Sequence, residues 1–188
     1  MDNEVGDETL MIRYQNGDAR AFEVLYGRHK GRLYRYLLRQ CGNQSVADEL
    51  FQDVWMKLIG ARDRYEVRAK FGTYLYHLAH NRVVDFYRRQ AKVNPSSYSH
   101  EDCPQVEDIP SSQHNQPDVR EEVRQQSNRL LELIEELPEA QREAFLLKEE
   151  AGMSVVEIAA VMGVNPETAQ SRLRYAIAKL RKGLGEVV

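Results

Sequence analysis

The sequence predicts an all-α protein: two small helical domains, an N-terminal helical bundle and a C-terminal helix-turn-helix, joined by a flexible linker. Three observations predict it. Apolar residues recur at three- and four-residue spacing along most of the chain, and nothing reads as an alternating strand. Four of the six prolines (Pro95, Pro104, Pro110 and Pro117) fall in one polar stretch near the middle. The last 35 residues hold, in order, a capped short helix, a glycine turn and a second capped helix.

The first domain is expected over 1–92. Gly17 and Asp18 precede a helical stretch at 21–39, with Phe22, Leu25, Tyr26, Leu33, Tyr36 and Leu37 on its apolar side. Gly42-Asn43 breaks the pattern, and Ser45 reads as the cap of the next helix. That helix runs to about residue 59 and buries Val46, Leu50, Val54 and Leu58. A third helix, at about 71–90, carries Leu75, Leu78, Val83 and Phe86.

The stretch 93–120 is rich in Ser, Gln, Asn, Asp and Glu and poor in large apolar residues. Such a segment cannot bury enough apolar surface to offset its ordering entropy, so a flexible linker is expected. The second domain is then 121–188. Leu130, Leu131, Ile134 and Leu137 form a stripe, Pro138 suits a first helical position, and Gly152 ends the helix that carries Phe145 and Leu146.

Ser154 and Glu157 have capping-box spacing. Val155, Ile158, Ala159 and Met162 give that helix an apolar face; Gly163 permits a tight turn, and Val164 plugs the core between the helices. Asn165 caps a second helix with Pro166 at its first position, which buries Ala169, Leu173, Ala176 and Leu180. Thr168, Gln170, Ser171, Arg172 and Arg174 fall on its other face. A helix so equipped fits the major groove: Gln pairs with adenine, Arg with guanine, and Thr168 and Arg172 can hold phosphates.

Charge is unevenly placed. The chain has a net charge of −3, yet 62–92 holds eight basic residues against three acidic ones, and 165–188 five against two. Two basic islands in an acidic chain point to nucleic acid. The first island, which ends near Arg88 and Arg89, interleaves aromatics and imidazoles through Phe71, Tyr74, His77 and Asn81, with Tyr65 in the loop before them. Cationic grooves with aromatic faces bind unpaired strands. On the second helix Asp48, Glu49, Gln52 and Asp53 form an acidic stripe, either a solvated face or a dock for a basic partner.

No apolar run approaches the roughly 20 residues that span a bilayer, and no secretory signal opens the chain, so a cytoplasmic protein without membrane insertion is expected. Cys41 and Cys103 are too few for a disulfide framework. His100, Cys103 and His114 fit no standard zinc spacing, so no metal, no cofactor and no catalytic residue are assigned.

Taken together, the segments resemble the extracytoplasmic-function class of bacterial sigma factors, over residues 8–92 and 121–184. The stretch 48–58 resembles that family's helix for the clamp coiled coil of RNA polymerase, which makes Asp48, Glu49, Gln52 and Asp53 the implied polymerase contacts. The stretch 71–89 resembles its promoter-opening segment, with Asn81 matching the asparagine of the flipped-base pocket. The stretch 137–184 resembles the domain that reads the minus-thirty-five element, with its closest match at Ser171, Arg172 and Leu173. Tyr74 stands where tryptophan is common, Gln170 where a basic residue is frequent, and Ile177 where another is common. The resemblance implies core polymerase (clamp coiled coil and flap), promoter DNA and an anti-sigma factor as partners. The competing expectation is a stand-alone helix-turn-helix regulator that binds duplex DNA without polymerase.

Overall fold

The structure, a computed structural model, describes the backbone of residues 5–93 and 117–185, and side chains over 5–90 and 124–185. Among these residues there are eight α-helices and no strand: α1 Asp7–Gln15, α2 Ala19–Cys41, α3 Gln44–Gly60, α4 Phe71–Val93, α5 Pro117–Glu135, α6 Glu139–Glu149, α7 Val155–Met162 and α8 Pro166–Gly185. A single 3-10 turn, Arg62–Arg64, follows α3. The expected all-α fold is therefore observed. Most of the expected linker, and the His100, Cys103 and His114 group, lie outside the described residues.

Helix α1 was not expected. It buries Leu10, Met11 and Tyr14 and is tied down by tertiary contacts. Asp7 pairs with Arg28 and His29, and the Glu8 carboxylate accepts from the Phe71 amide at 2.7 Å, capping α4 from another helix. At the next junction Asp18 accepts from the amides of Arg20 and Ala21 and is gripped by Arg13 at 2.7 Å. The Arg13 guanidinium holds the Asp18 carboxyl below its ordinary pKa.

Helix α2 stops at Gly42, which takes the left-handed conformation at φ 64°. The cap of α3 is Asn43, not Ser45: Asn43 Oδ1 accepts from the Val46 amide at 3.1 Å. Because Gly42 closes α2 on its own, the extended residue that starts the next helix comes immediately after it, which leaves Ser45 inside the first turn. Pro138 likewise sits just before α6, with ψ 138°, rather than at its first position. Helix α6 has already ended at Glu149 when Gly152 turns the chain with φ 65°.

Helices α1–α4 pack around Leu25, Leu33, Leu37, Leu58 and Leu75. Helices α5–α8 pack around Ile134, Leu137, Leu146, Leu147 and Val161. The halves also touch: α2 and α4 lie against α6 and α7.

Candidate nucleic-acid interface

The sequence folds α7 and α8 by local signals. The Ser154 hydroxyl accepts from the Glu157 amide at 3.3 Å, and the Glu157 carboxylate accepts from the Ser154 amide at 2.8 Å, completing the capping box. The Ser154 amide, Lys70 at 2.9 Å and the Ser154 hydroxyl all donate to the Glu157 carboxylate and depress its pKa to about 2. Gly163 turns the chain at φ 64°, and Asn165 Oδ1 accepts from the Thr168 amide at 2.8 Å. Ala169, Leu173, Ala176 and Leu180 face inward, all buried.

That burial fixes what α8 presents. Gln170 and Arg174 are exposed; Thr168, Ser171 and Arg172 are half-buried at its margins. Gln170 and Arg174 therefore face solvent, and Thr168, Ser171 and Arg172 are only partly accessible. Helix α8 also carries Tyr175, 56% exposed, with the Arg174 guanidinium 5.2 Å from the ring centre. Sequence reasoning missed Tyr175; the signal was an aromatic following Arg174 on a position outside the apolar stripe. The Lys179 ammonium donates to the Glu136 carbonyl at 2.6 Å and so holds the end of α5.

The loop before α4 and the first turns of α4 form a second surface. An open groove of about 390 Å³ is lined by Arg64, Tyr65, Thr73, Tyr74 and His77, with Ala160 of α7 on its far side. Tyr65 is buried, its ring 5.3 Å from that of Tyr74, and burial lifts its phenol pKa to about 12. Gln15 pins the loop by donating to the carbonyls of Asp63 and Tyr65, both at 3.1 Å. Nothing local in the sequence announces that role.

Tyr74, His77 and Asn81 stand one turn apart on one stripe of α4; His77 and Asn81 are exposed and Tyr74 is half-buried. Phe71 needs correcting. It is fully buried, with its ring 5.2 Å from His29, so it offers no face for a base and belongs to the core. Arg89 is exposed farther along α4; Arg88 is exposed too but lies 3.8 Å from Asp85.

The acidic stripe of α3 forms a third surface. Asp48, Glu49 and Gln52 are exposed, and Asp53 is half-buried 3.9 Å from Arg82. Tyr34 donates to Asp48 at 2.8 Å, and partial burial, then this bond, raises the Tyr34 pKa. Met56, 59% exposed, and Ile59 continue the same side, an apolar extension that sequence reasoning left out.

Comparison with known proteins gives the family. The sigma-70 region 2 family model matches residues 25–93, and the sigma-70 region 4 model matches 127–180. The RNA polymerase sigma factor CarQ of Myxococcus xanthus is 30% identical over 177 residues, 94% of this chain and 97% of CarQ. The ECF RNA polymerase sigma-E factor of Escherichia coli K12 is 31% identical over 182 residues, 92% of this chain and 91% of that protein. Among solved structures, CnrH in complex with the cytosolic domain of CnrY superposes with a TM-score of 0.66 at 24% identity, covering 96% and 97% of the two chains. The sigma factor RpoE of Bartonella quintana, in complex with the anti-sigma factor NepR, superposes at 0.68 with 19% identity, covering 89% and 98%.

Proposed function

From the premise that this chain belongs to the extracytoplasmic-function (ECF) class of the sigma-70 family of RNA polymerase sigma factors, we propose how its three surfaces divide the work of initiation. Sigma-70 factors are initiation factors rather than enzymes, so the chemistry stays with core polymerase. In this chain the expected first domain, 1–92, docks and opens, and the expected second domain, 121–188, reads the upstream duplex; the expected tether between them, 93–120, is helical at its two ends, where α4 reaches Val93 and α5 begins at Pro117.

Asp48, Glu49, Gln52 and Asp53 dock on core polymerase. Their charge steers a basic partner, and Met56 and Ile59 beside them supply apolar area that charge alone lacks. Tyr74, His77 and Asn81 take the displaced strand, over a groove that the buried Tyr65 helps to line. Tyr74 stacks a base, and the Asn81 amide reads a base edge that is accessible only after unpairing. Arg88 and Arg89 follow the adjacent duplex. Binding the open form better than the paired one shifts the melting equilibrium without ATP.

Helix α8 reads the upstream element, with Gln170, Ser171 and Arg174 toward base edges and Thr168 and Arg172 toward phosphates. The observation that carries the reading is α8 itself: a capped helix with its apolar stripe buried and this polar set left outward. The chain works in the cytoplasm, where polymerase is. Among the described residues no helix is long and apolar enough to cross a membrane. A protein inhibitor of the anti-sigma kind is the expected partner of the free chain, as NepR is for RpoE.

Run-off transcription from genomic DNA with added core polymerase tests the reading. Initiation at specific start sites is expected. A chain that binds duplex DNA but neither captures core polymerase nor directs initiation would instead be a stand-alone helix-turn-helix regulator.

A further inference from the structure

Between α3 and α4 the chain runs irregularly over 61–70, and this loop supplies most of the lining of the groove beside Tyr74 and His77. Among the described residues α1 contributes nothing to that lining. Its contacts fall instead on the two ends of the loop.

At the first end the Arg62 guanidinium stands 5.4 Å from the centre of the Tyr14 ring. Within the 3-10 turn the carbonyls of Ala61 and Arg62 accept from the amides of Arg64 and Tyr65. The next carbonyls of this stretch are served from another helix: Gln15 Nε2 donates to those of Asp63 and Tyr65, both at 3.1 Å. Both hydrogens of that nitrogen are thereby used, and the chain leaves the turn in a fixed direction with the Tyr65 side chain buried. Burial first, and then the charge of Glu8, lifts the Tyr65 phenol pKa, so the ring lies toward α1. At the other end Glu8 accepts from the Phe71 amide at 2.7 Å, one of the donors that the start of α4 would otherwise leave without a partner.

The middle of the loop differs from its ends. Glu66, Val67, Arg68 and Ala69 are exposed, Val67 by 55%. Arg68 pairs with Glu66 inside the loop at 2.6 Å, and Lys70 reaches Glu157 at 2.9 Å. An irregular segment with loose ends would have to be ordered by whatever binds the groove, at an entropy cost for every residue fixed. A segment anchored at both ends has lost most of that freedom beforehand, which strengthens binding without adding a contact to the ligand.

We propose that Gln15 is a positioning residue for strand capture: through the Asp63 and Tyr65 carbonyls it presets the loop that walls the groove, and so favours the opened promoter without touching DNA. That the groove takes a DNA strand rests on the sigma-factor reading above; the brace itself rests only on the contacts of α1. Gln15 belongs neither to the acidic stripe of α3 nor to α8, so docking and duplex reading do not depend on it.

The test uses Gln15→Glu, which keeps the shape of the side chain but offers two acceptors to two carbonyls. Amide hydrogen exchange over 61–70 is measured on the free full-length chain. Holoenzyme binding is measured on two probes built on a start site found by run-off transcription, one fully duplex and one with an unpaired stretch ahead of that site. Exchange over 61–70 is expected to quicken while affinity for core polymerase and for the duplex probe stays at the wild-type level. Binding to the unpaired probe is expected to weaken about tenfold, the scale of two ordinary hydrogen bonds, with a flatter base preference in the unpaired stretch. Glu8→Ala releases the other end of the loop and is expected to give the same pattern, which covers the case in which Gln15→Glu misfolds. Unchanged exchange, faster exchange with undiminished binding to the unpaired probe, or an equal loss on both probes would overturn the proposal. A wild-type chain that forms no holoenzyme would defeat the sigma-factor reading and leave the exchange result to decide the brace by itself.

Discussion

Replacing Gly183 by alanine probes how firmly α8 is seated, and the structure supplies the magnitude. Gly183 is buried where α8 crosses α5, and a Cβ there would stand 2.4 Å from one Leu133 methyl and 2.9 Å from the other. Two carbons so close must separate by more than an ångström. Leu133 is itself only 3% exposed, so its methyls have no solvent to move into. Overpacking of this kind costs about 1–3 kcal/mol. Alanine recovers up to about 1 kcal/mol through helix propensity, and less here because the site is two residues from the helix end. The net expectation is a loss of about 1 kcal/mol, roughly 2–4 °C in Tm for a chain of this size.

Urea unfolding followed by circular dichroism measures it, and a double-mutant cycle with Leu133→Ala assigns the cause. Leu133→Ala alone should cost about 2–5 kcal/mol through its cavity. Adding Gly183→Ala to it should cost nothing or restore some stability, because the new methyl fills the space Leu133 leaves. Strict additivity of the two changes, or a Gly183→Ala chain more stable than wild type, would show that α5 and α8 do not pack as described. A shifted α8 also displaces the outward row of Gln170, Ser171 and Arg174, so affinity for duplex DNA should fall alongside stability.

Three further outcomes are expected. Ser154→Ala removes the hydroxyl half of the capping box and should cost about 1 kcal/mol in urea unfolding; no change would mean that the Glu157 half suffices. Arg174→Ala should weaken promoter-duplex binding by about 1–3 kcal/mol and relax preference at one base pair, read by mobility shift across a substituted promoter set; an unchanged preference would move Arg174 to the phosphates. The contact between α4 and α6 should also depend on pH. The hydrogen bond to Glu143 raises the His80 pKa above 6.5, burial opposes it, and the charges of Glu143 and Glu139 add to the rise. The contact therefore takes up a proton. Its contribution is complete below the ordinary histidine value and is lost as pH rises through the raised one, so stability in urea should fall as pH rises above about 6.5. His80→Gln should abolish that dependence, and a persistent transition would assign it elsewhere.

What the sequence reveals depends on how local its causes are. The α7–α8 pair is legible almost residue by residue, because Ser154, Glu157, Gly163, Asn165 and Pro166 act on their immediate neighbours. Even there Val161 was missed, since α7 is buried on two sides, against α8 and against α4, and a single-face pattern shows one of them. Helix α1 was illegible for the opposite reason. It has nine residues with three buried, and its anchors, Arg28, His29 and Phe71, come from helices far along the chain. Asn43 and Ser45 are both good caps, and only the conformation of Gly42 decides between them. Phe71 reads in sequence as either a core residue or a stacking platform, because composition does not report which way a ring faces; the fold puts it in the core.

The contact between the two halves was the least legible part, and its chemistry explains why. Tyr36 and Glu143 are 107 residues apart, and His80 and Glu143 are 63 apart. Arg35, Arg39, Glu143 and Glu150 look in sequence like the solvated faces of amphipathic helices. In the fold they face one another across the contact instead. Burying an unmatched set of charges would strand them, so each of these carboxylates meets a donor from the other half: Glu143 meets Tyr36 and His80, and Glu150 meets Arg35 and Arg39. The polarity that makes these residues look solvated in sequence is thus what the contact itself is built from, and only the pairing, which is set by the tertiary fold, tells the two cases apart.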